Sequence, residues 1–290
     1  PYTRLARTQV VGAFGHRDAR LRLVISNLLM QNQRYEHWMK VVTEPDPDLI
    51  LAVEADRNWE AALKPLEQRY PHVIRRPQDN MYGMILYSRL PLHDGEVRFI
   101  VHDDFPSIHA TVHLPDGTPV RFHGIHPAPP EPIRDQDSTG RAAELVVVAR
   151  EVAEDDIPAI VAGDLNDVAW SYTTRMFQGI SGLVDPRRGR GLYNTWPVCV
   201  PVFRVPLDHI FFSNCFTLVQ LRVLEDVGSD HYPVMIELQH EPAAPEIQPE
   251  PEKEIEHEID GQDMIDRAEQ ETGRMVASRC RRRRWLPRWL

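Results

Sequence analysis

The stretch "IPAIVAGDLND" (residues 157–167) joins an apolar run to a short cluster of polar side chains. The apolar run predicts a buried strand. The polar cluster is typical of a turn, because Gly163 tolerates positive φ and short side chains such as Asp164 and Asn166 bond their own backbone. If the strand is central, the same side chains would lie at its carboxyl end, where ligands commonly bind in α/β sheets. A turn and a ligand site therefore both stay open for this stretch.

Strands and helices alternate along the rest of the chain. Strands are predicted at 21–27, 48–54, 83–88, 95–101, 107–114, 118–126, 206–213, 217–224 and 232–238, and helices at 35–44, 58–70, 139–154 and 171–180. The strand–helix–strand–helix order of the first part favours an α/β unit. Two mixed runs without a detectable internal repeat predict a single α/β domain over residues 20–240, in which two sheets pack together with helices outside. Residues 1–19 are a lead-in.

Composition excludes several classes of protein. The chain has 290 residues and a formal net charge of −10, which disfavours a tight, extended nucleic-acid binder unless charge is locally segregated. Its 3 cysteines show no CxxC spacing, so neither a disulfide framework nor a zinc cluster is indicated. No run reaches the roughly 18–20 apolar residues that span a bilayer. Because residue 1 is Pro rather than Met, we expect a processed or truncated start, which leaves room for a membrane segment ahead of it.

Residues 241–290 differ in composition from the body. The stretch after residue 240 is rich in Pro and Glu with few large apolar residues, which predicts a disordered tail. The tail ends in six arginines between Arg279 and Arg288, interleaved with Trp285 and Trp289. This Arg/Trp cluster suits an anionic membrane surface better than nucleic acid. The alternative is a solvated basic terminus that pairs loosely with the acidic segment before it.

Polar side chains recur where the predicted strands begin or end. They are Asn27, Glu54, His126, Asp164, Asn166, Asp208, Asp230 and His231. Each alone is explained by a cap, a surface acid or a satisfied histidine. Together they supply what metal-assisted hydrolysis of a phosphate ester needs. Carboxylate and amide oxygens suit Mg²⁺, imidazoles move protons near neutral pH, and phosphoryl transfer depends mainly on positioning and charge stabilisation.

These residues also carry a family resemblance. Asn27, Glu54, His126, "GDLND" (163–167), "PLDHIFFS" (206–213) and "GSDHYPV" (228–234) resemble, in order and spacing, the endonuclease/exonuclease/phosphatase superfamily. That superfamily includes deoxyribonuclease I, exonuclease III-type repair nucleases, inositol polyphosphate 5-phosphatases and bacterial sphingomyelinases. The resemblance covers residues 20–240 and implies a four-layer α/β/β/α sandwich of two mixed sheets flanked by helices.

The resemblance also implies a role for each residue. Glu54 would be the main ligand of Mg²⁺ or Mn²⁺, with Asn27 nearby and Asp230 contributing. Asp208 would orient His231. Asp164 and Asn166 would position the attacking water and the phosphorus, and His126 would donate to a phosphate oxygen. Either Asp164 or His231 could be the base, since metal binding lowers the pKa of water.

Three positions depart from the usual nuclease-like pattern. Val53 stands where a Gln often precedes the metal-binding Glu, Pro206 where an Arg is common, and His209 where a Tyr follows the Asp. The stretch "WPVCVPVFRVPLDH" (196–209) instead resembles a less characterised bacterial branch, some of whose members carry membrane-spanning segments ahead of the catalytic domain. A membrane-associated location is therefore one expectation for the whole protein.

The segment "DPRRGRGLYNTWP" (185–197) is the predicted substrate-facing loop. Arg187, Arg188 and Arg190 could meet phosphate, and Trp196 could stack on a base or pack on an apolar tail. The alternative is a solvated basic loop with Trp196 packed into the domain edge.

The leading prediction is a divalent-metal-dependent phosphodiesterase or nuclease that acts by in-line attack of a metal-supported water. One alternative is a phosphatase or phospholipase C-like hydrolase of lipid or inositol phosphates, favoured by the acidic body and the Arg/Trp cluster. Another is a catalytically idle scaffold whose tail docks a membrane or a partner, since a fold alone does not fix function. We expect the protein to be a monomer.

Overall fold

Apolar residues on both faces of the central strands produce a layered fold. The computed structural model describes residues 1–4, 6, 8–14, 19–129, 139–273 and 276. The strands are β1 (Arg20–Asn27), β2 (Leu49–Val53), β3 (His72–Arg76), β4 (Met84–Ser88), β5 (Leu92–Phe99), β6 (Pro106–His113), β7 (Pro119–Gly124), β8 (Ala159–Asp164), β9 (Asp208–Phe212), β10 (Phe216–Val223) and β11 (Val234–His240). The α-helices are α1 (Tyr35–Thr43), α2 (Arg57–Leu63), α3 (Thr139–Glu154), α4 (Tyr172–Ser181) and α5 (Ile255–Thr272). Short 3₁₀ segments cover Lys64–Gln68, Pro201–Phe203 and Ala244–Glu246.

The strands form two mixed sheets. The first has the order β10-β11-β1-β2-β4-β3 and the second the order β5-β6-β7-β8-β9. Within each sheet one central pair is parallel, β1 with β2 and β7 with β8, and the other pairs are antiparallel. A parallel pair needs a crossover, and the helices that come after β1 and β7 supply it. The strands of each parallel pair therefore end at the same edge of their sheet.

Three apolar clusters separate the layers. The cluster between the sheets includes Leu23 and Leu51 of the first sheet and Phe122 of the second. On the outer face of the first sheet, Trp38 of α1 packs with the neighbouring α2. On the outer face of the second sheet, α3 and α4 bury a third cluster. The predicted four-layer sandwich is confirmed, and α3 has the bounds that its apolar spacing predicts.

The sequence pattern missed strand β3 (His72–Arg76). Among the described strands it pairs only with β4, at an edge of the sheet, and none of its side chains is fully buried. A half-exposed edge strand needs little apolar alternation, so "HVIRR" gives almost no periodic signal.

The prediction of a disordered tail over 241–290 is wrong for its described part. Helix α5 lies in that segment and packs on α3 and α4. Its buried side is a narrow stripe of His257, Gly261, Ile265 and Ala268. A Cβ at Gly261 would lie 3.1 Å from the Val146 side chain, so glycine permits the close approach of the two helices. A stripe of only four residues is too narrow to show in the average composition of a segment dominated by Pro and Glu. The Arg/Trp cluster of Arg279–Trp289 lies outside the described residues.

Within the described ranges, no helix is both long enough and apolar enough to cross a membrane.

Glu144 places a buried carboxyl group on α3. It is 3% exposed, and its Oε1 has no hydrogen-bond partner among the described residues. Burial raises the pKa of Glu144 from 4.5 to about 8, and nearby Arg98 opposes this only in part. Between these two pH values the Glu144 carboxyl is ionised in the unfolded chain and neutral in the folded chain. Rising pH therefore lowers the free energy of unfolding in this window, and this loss of stability is complete above pH 8.

We expect Glu144→Gln to remove this pH dependence. The free energy of unfolding of the parent protein should fall by on the order of 3 kcal/mol more than that of the variant between pH 5 and pH 8. Urea denaturation at the two pH values measures it. Equal falls in both proteins would show that Glu144 ionises normally in the folded state.

Candidate functional site

Eight polar residues from both sheets meet at one edge of the sandwich. Asn27 is the last residue of β1, Glu54 comes directly after β2, His126 lies just after β7, and Asp164 ends β8. Asp208 begins β9, directly opposite Asp164 in the antiparallel register. Asp230 and His231 precede β11, and Asn166 lies just after β8. The parallel central strands and their antiparallel neighbours thus bring together all eight predicted catalytic and metal-binding residues.

Asn27 connects the two sheets. Its Nδ2 donates to Glu54 Oε1 at 2.9 Å and to Asp164 Oδ2 at 3.1 Å. Its Oδ1 accepts from the backbone N–H of Leu29 at 2.9 Å, which fixes the orientation of the amide. In this arrangement the amide NH₂ group, rather than the oxygen, faces the carboxylates. Asn27 therefore orients two acids from different sheets.

Glu54 sits in a left-handed turn at the end of β2. Its φ is 62°, and its Oε2 accepts from the backbone N–H of Met30 at 3.3 Å. The backbone of the next residue, Ala55, forms hydrogen bonds with the backbone of Gly83 and of Gln78. A Cβ at Gly83 would lie 1.8 Å from the Ala55 carbonyl oxygen, so only glycine allows this contact. The turn therefore directs the Glu54 carboxylate toward Asn27 instead of continuing the strand.

Asp208, His231 and Asp164 form a buried chain of ionisable groups. His231 Nδ1 lies 2.8 Å from Asp208 Oδ2, and His231 Nε2 lies 3.5 Å from Asp164 Oδ2. Burial alone would lower the pKa of His231, but the carboxylates of Asp164 and Asp208 outweigh burial and raise it to about 10. Burial would likewise raise the pKa of Asp164, but His231 and His126 hold it below its ordinary value. Burial raises the pKa of Asp208, and His231 opposes that rise. In this group of three side chains, the imidazole of His231 is therefore protonated and lies next to an ionised Asp164.

His126 approaches the same Asp164 from the second sheet. Its Nε2 lies 3.8 Å from Asp164 Oδ2, and its ring centroid is 5.3 Å from that of Tyr82. Its buried Nδ1 has no hydrogen-bond partner within the described part of the chain. His126 thus keeps one ring nitrogen available for another group.

The stretch around Gly163 is both a turn and part of this site. Gly163 has φ 149°, and a Cβ there would lie 1.9 Å from the carbonyl oxygen of Ile125. Asn166 has φ 51°, its N–H donates to Asp164 Oδ1 at 2.9 Å, and its Nδ2 donates to the Pro127 carbonyl at 3.0 Å. The predicted turn is therefore present, and it contains residues of the candidate site.

Trp196 and Asp230 form the rim of the site. Trp196 Nε1 donates to Asp230 Oδ2 at 3.0 Å, and its half-exposed ring lies 6.4 Å from the ring of His231. Asp230 Oδ1 is buried, with no hydrogen-bond partner among the residues described. The tryptophan therefore presents an aromatic surface beside the histidine.

The three arginines of the predicted substrate-facing loop bond within the protein, although Trp196 of the same loop lies at the rim of the site. Arg187 is 4% exposed and makes a bidentate pair with Asp185, with bonds of 2.9 and 2.8 Å. Arg188 donates to Gln178 at 3.2 Å, and Arg190 donates to the carbonyl of Pro186 at 3.2 Å. The prediction that Arg187 meets substrate is wrong, because an acid two residues earlier in the chain supplies a buried partner. The other two arginines also bond within the protein.

The donor set fits a divalent cation that prefers oxygen. The carboxylate of Glu54 and the unpaired Oδ1 of Asp230 offer acceptor oxygens at this edge, with Asp164 beside them. Hard cations such as Mg²⁺ and Mn²⁺ take such ligands. His109, His123 and Glu151, which form another compact group of possible ligands, lie elsewhere. There the two imidazoles bond each other at 2.8 Å, and Glu151 pairs with Arg98.

Thr195 is a supporting residue that sequence reasoning missed. It is fully buried, and its Oγ1 accepts from the backbone N–H groups of Leu207 and Asp208 at 3.3 and 3.4 Å. These bonds hold the start of β9, where Asp208 lies. A single threonine inside an irregular segment carries no pattern that could have predicted this contact.

Comparisons with known proteins agree with the geometry. The model of the Endonuclease/Exonuclease/phosphatase family matches residues 25–231. The structure of D. rerio TDP2 complexed with a single-strand DNA product has a TM-score of 0.63 and 19% identity, and the match covers 77% of this chain and 100% of that one. An endonuclease/exonuclease/phosphatase from Bacteroides vulgatus has a TM-score of 0.62 and 14% identity, covering 77% and 99%. The human Nocturnin catalytic domain has a TM-score of 0.60 and 16% identity, covering 76% and 94%.

No curated protein sequence matches the chain. The three structures are all less than 25% identical to this chain, so they support the fold alone. The family match, in contrast, includes the strand-end residues from Asn27 to His231. This chain therefore belongs to the Endonuclease/Exonuclease/phosphatase family and is a metal-dependent phosphoric ester hydrolase.

Proposed function

We propose that this enzyme is a nuclease or related phosphodiesterase that hydrolyses a phosphodiester of a nucleic acid strand with Mg²⁺ or Mn²⁺. The observation that carries the proposal is the chain of Asp208, His231 and Asp164, which places a proton donor and a proton acceptor side by side. Such a pair can take a proton from water and stabilise charge on a phosphate in one step.

Each residue has a role in this proposal. Asp164, whose pKa is held low, accepts the proton of the attacking water. His231 donates to a phosphate oxygen, and Asp208 fixes the ring through Nδ1. Asn27 orients the acids, whereas Asn166 and His126 position the phosphate.

Glu54 and Asp230 would hold the cation, with Asp164 close by. When bound, a divalent cation supplies positive charge against the phosphate oxygens and makes water more acidic. The rest of the chemistry depends on side chains of this chain.

Two observations support a nucleic-acid substrate. D. rerio TDP2, which shares the fold, was crystallised with a single-strand DNA product. In this chain, the half-exposed ring of Trp196 next to His231 offers a surface on which a base could stack.

A lipid phosphodiester is the second candidate, and a specific surface favours it. After Trp196, the 3₁₀ segment Pro201–Phe203 exposes Val202 by 85% and Phe203 by 75%. Aliphatic and aromatic side chains of this kind suit an acyl chain better than a charged strand.

Product analysis with a panel of substrates tests the proposal. The full chain is incubated with labelled single-strand DNA and RNA, nucleotides, inositol phosphates, and phosphatidylcholine and sphingomyelin vesicles, each with Mg²⁺, Mn²⁺ or EDTA. We expect metal-dependent cleavage of the oligonucleotides. Cleavage of vesicle lipid alone would replace the nuclease by the second candidate. Inactivity on every substrate would overturn the proposed substrate class.

A further inference from the structure

We propose that His209, held by Arg187 and Asp185, is a positioning residue for the catalytic loop, residues 165–168, which contains Asn166 and follows directly after Asp164. The proposal rests on the proposed function for its catalytic consequence, but the contacts that carry it belong to the fold. His209 lies on β9, directly opposite Gly163 in the register with β8. It is fully buried, and its two ring nitrogens bond Arg187 and the backbone of Asp167.

The hydrogen bonds of His209 fix its tautomer. Arg187 Nη2 lies 2.8 Å from His209 Nδ1, and a guanidinium can only donate, so Nδ1 accepts. The hydrogen of the neutral ring therefore resides on Nε2, which donates to the carbonyl oxygen of Asp167 at 2.8 Å. Burial and the charge of Arg187 lower the pKa of His209 to about 3, in agreement with a neutral ring. A chain of bonds thus runs from Asp185 through Arg187 and His209 to the loop.

The Asp185–Arg187 ion pair is not accessible to solvent. Both side chains are buried, and Arg187 also lies 5.8 Å from the ring centroid of Phe211. Buried ion pairs are often no better for stability than apolar residues of similar volume. We infer that this pair serves to orient His209 rather than to stabilise the fold.

A second arginine, on helix α3, holds the same loop directly. Arg141 of α3 donates to the carbonyl oxygen of Asn166 at 2.7 Å. Two consecutive carbonyls, at Asn166 and Asp167, are therefore held by side chains from different elements. Asn166 adopts a left-handed φ of 51°, a conformation that few residues with a Cβ adopt unless their surroundings hold them there.

The loop in turn determines the placement of Asp164. The backbone N–H of Asn166 donates to Asp164 Oδ1, and the Asn166 side chain reaches the Pro127 carbonyl beside His126. Loss of the His209 bond would free the peptide of residues 166–167 and loosen both contacts. A misplacement of about 1 Å can reduce a rate by about 10²-fold.

Three variants test the inference. His209→Phe keeps a buried ring but loses the donor at Nε2. His209→Gln keeps a side-chain N–H that can reach Asp167. His109→Phe is the matched control, because His109 is also a buried histidine with two side-chain hydrogen bonds but lies outside the site.

On the substrate that the parent enzyme cleaves, we expect His209→Phe to lower kcat about 10- to 100-fold, with KM changed by less than about twofold. His209→Gln should recover most of the loss. His109→Phe should keep the parent kcat, whatever its effect on the urea midpoint. A parent kcat in His209→Phe, or an equal loss in His109→Phe, would overturn the inference.

Hydrogen–deuterium exchange provides a readout that needs no activity. His209→Phe should increase exchange about tenfold or more at the amides of residues 165–168, while His109→Phe leaves them unchanged. If the parent enzyme cleaves none of the substrates, the proposed function fails, and exchange alone decides this inference. Unchanged exchange in His209→Phe would then overturn it.

Discussion

Replacement of Asp164 by asparagine is expected to lower kcat by about 10³-fold or more. Asp164 is the acid on which Asn27, Asn166, His126 and His231 converge. The substitution keeps the size of the side chain but removes both the proton acceptor and the negative charge next to His231. The effect should therefore fall on the chemical step rather than on substrate binding.

Steady-state kinetics of Asp164→Asn on the cleaved substrate measure this effect. Asp263→Asn is a matched control, because Asp263 is exposed on α5 and distant in the fold from the strand ends. Because Asp164 is a buried charge beside His231, urea denaturation of the variant is measured separately to verify that it is folded under the assay conditions. A kcat within about tenfold of the parent value would exclude Asp164 as the base and leave His231 as the remaining candidate.

Glu54→Gln is expected to lower activity by on the order of 10²- to 10³-fold and to raise the Mg²⁺ or Mn²⁺ concentration needed for half-maximal rate. The amide oxygen of the variant can still accept the bond from Asn27 Nδ2, so the local hydrogen bond survives while the charge is lost. The comparison therefore separates the charge of Glu54 from its structural contact.

Isothermal titration with Mn²⁺ measures binding without turnover, and EDTA should abolish the activity of the parent enzyme. Glu246→Gln, an exposed position near the end of the domain, provides the matched control. If Glu54→Gln binds Mn²⁺ as the parent does, the cation is held by other residues.

Much of the candidate site could be predicted because its residues occur at strand ends. The apolar run before Gly163 placed Asp164 at the end of a central strand, and "GSDHYPV" placed His231 just before another. Parallel pairing within each sheet then explains why residues distant in sequence meet. The end of a strand can be inferred from hydropathy alone, so the positions of Asp164 and His231 at strand ends could be inferred as well.

Contacts between segments distant in the chain could not be predicted in this way. The charged arginines of the basic loop predicted an exposed segment. Arg187, however, bonds both Asp185 and His209, and the bond to His209 requires that the loop pack on β9. Similarly, α5 gains its stability from packing on α3 and α4, which the tail sequence does not reveal. Which side chain pairs with which depends on the assembled tertiary structure rather than on local pattern.

The pairing of β8 with β9 has a consequence for engineering this enzyme. Successive side chains of a strand point to opposite faces, so Asp208 faces the cluster with His231 while His209 faces Arg187 and the outer layer. Deletion or insertion of one residue between Thr195 and Asp208 that shifts β9 by one position would exchange these two faces. It would carry an imidazole into the site and bury a carboxylate against Asp185. Changes in the length of this connection must therefore be absorbed by the exposed Pro201–Phe203 turn, away from the paired strand.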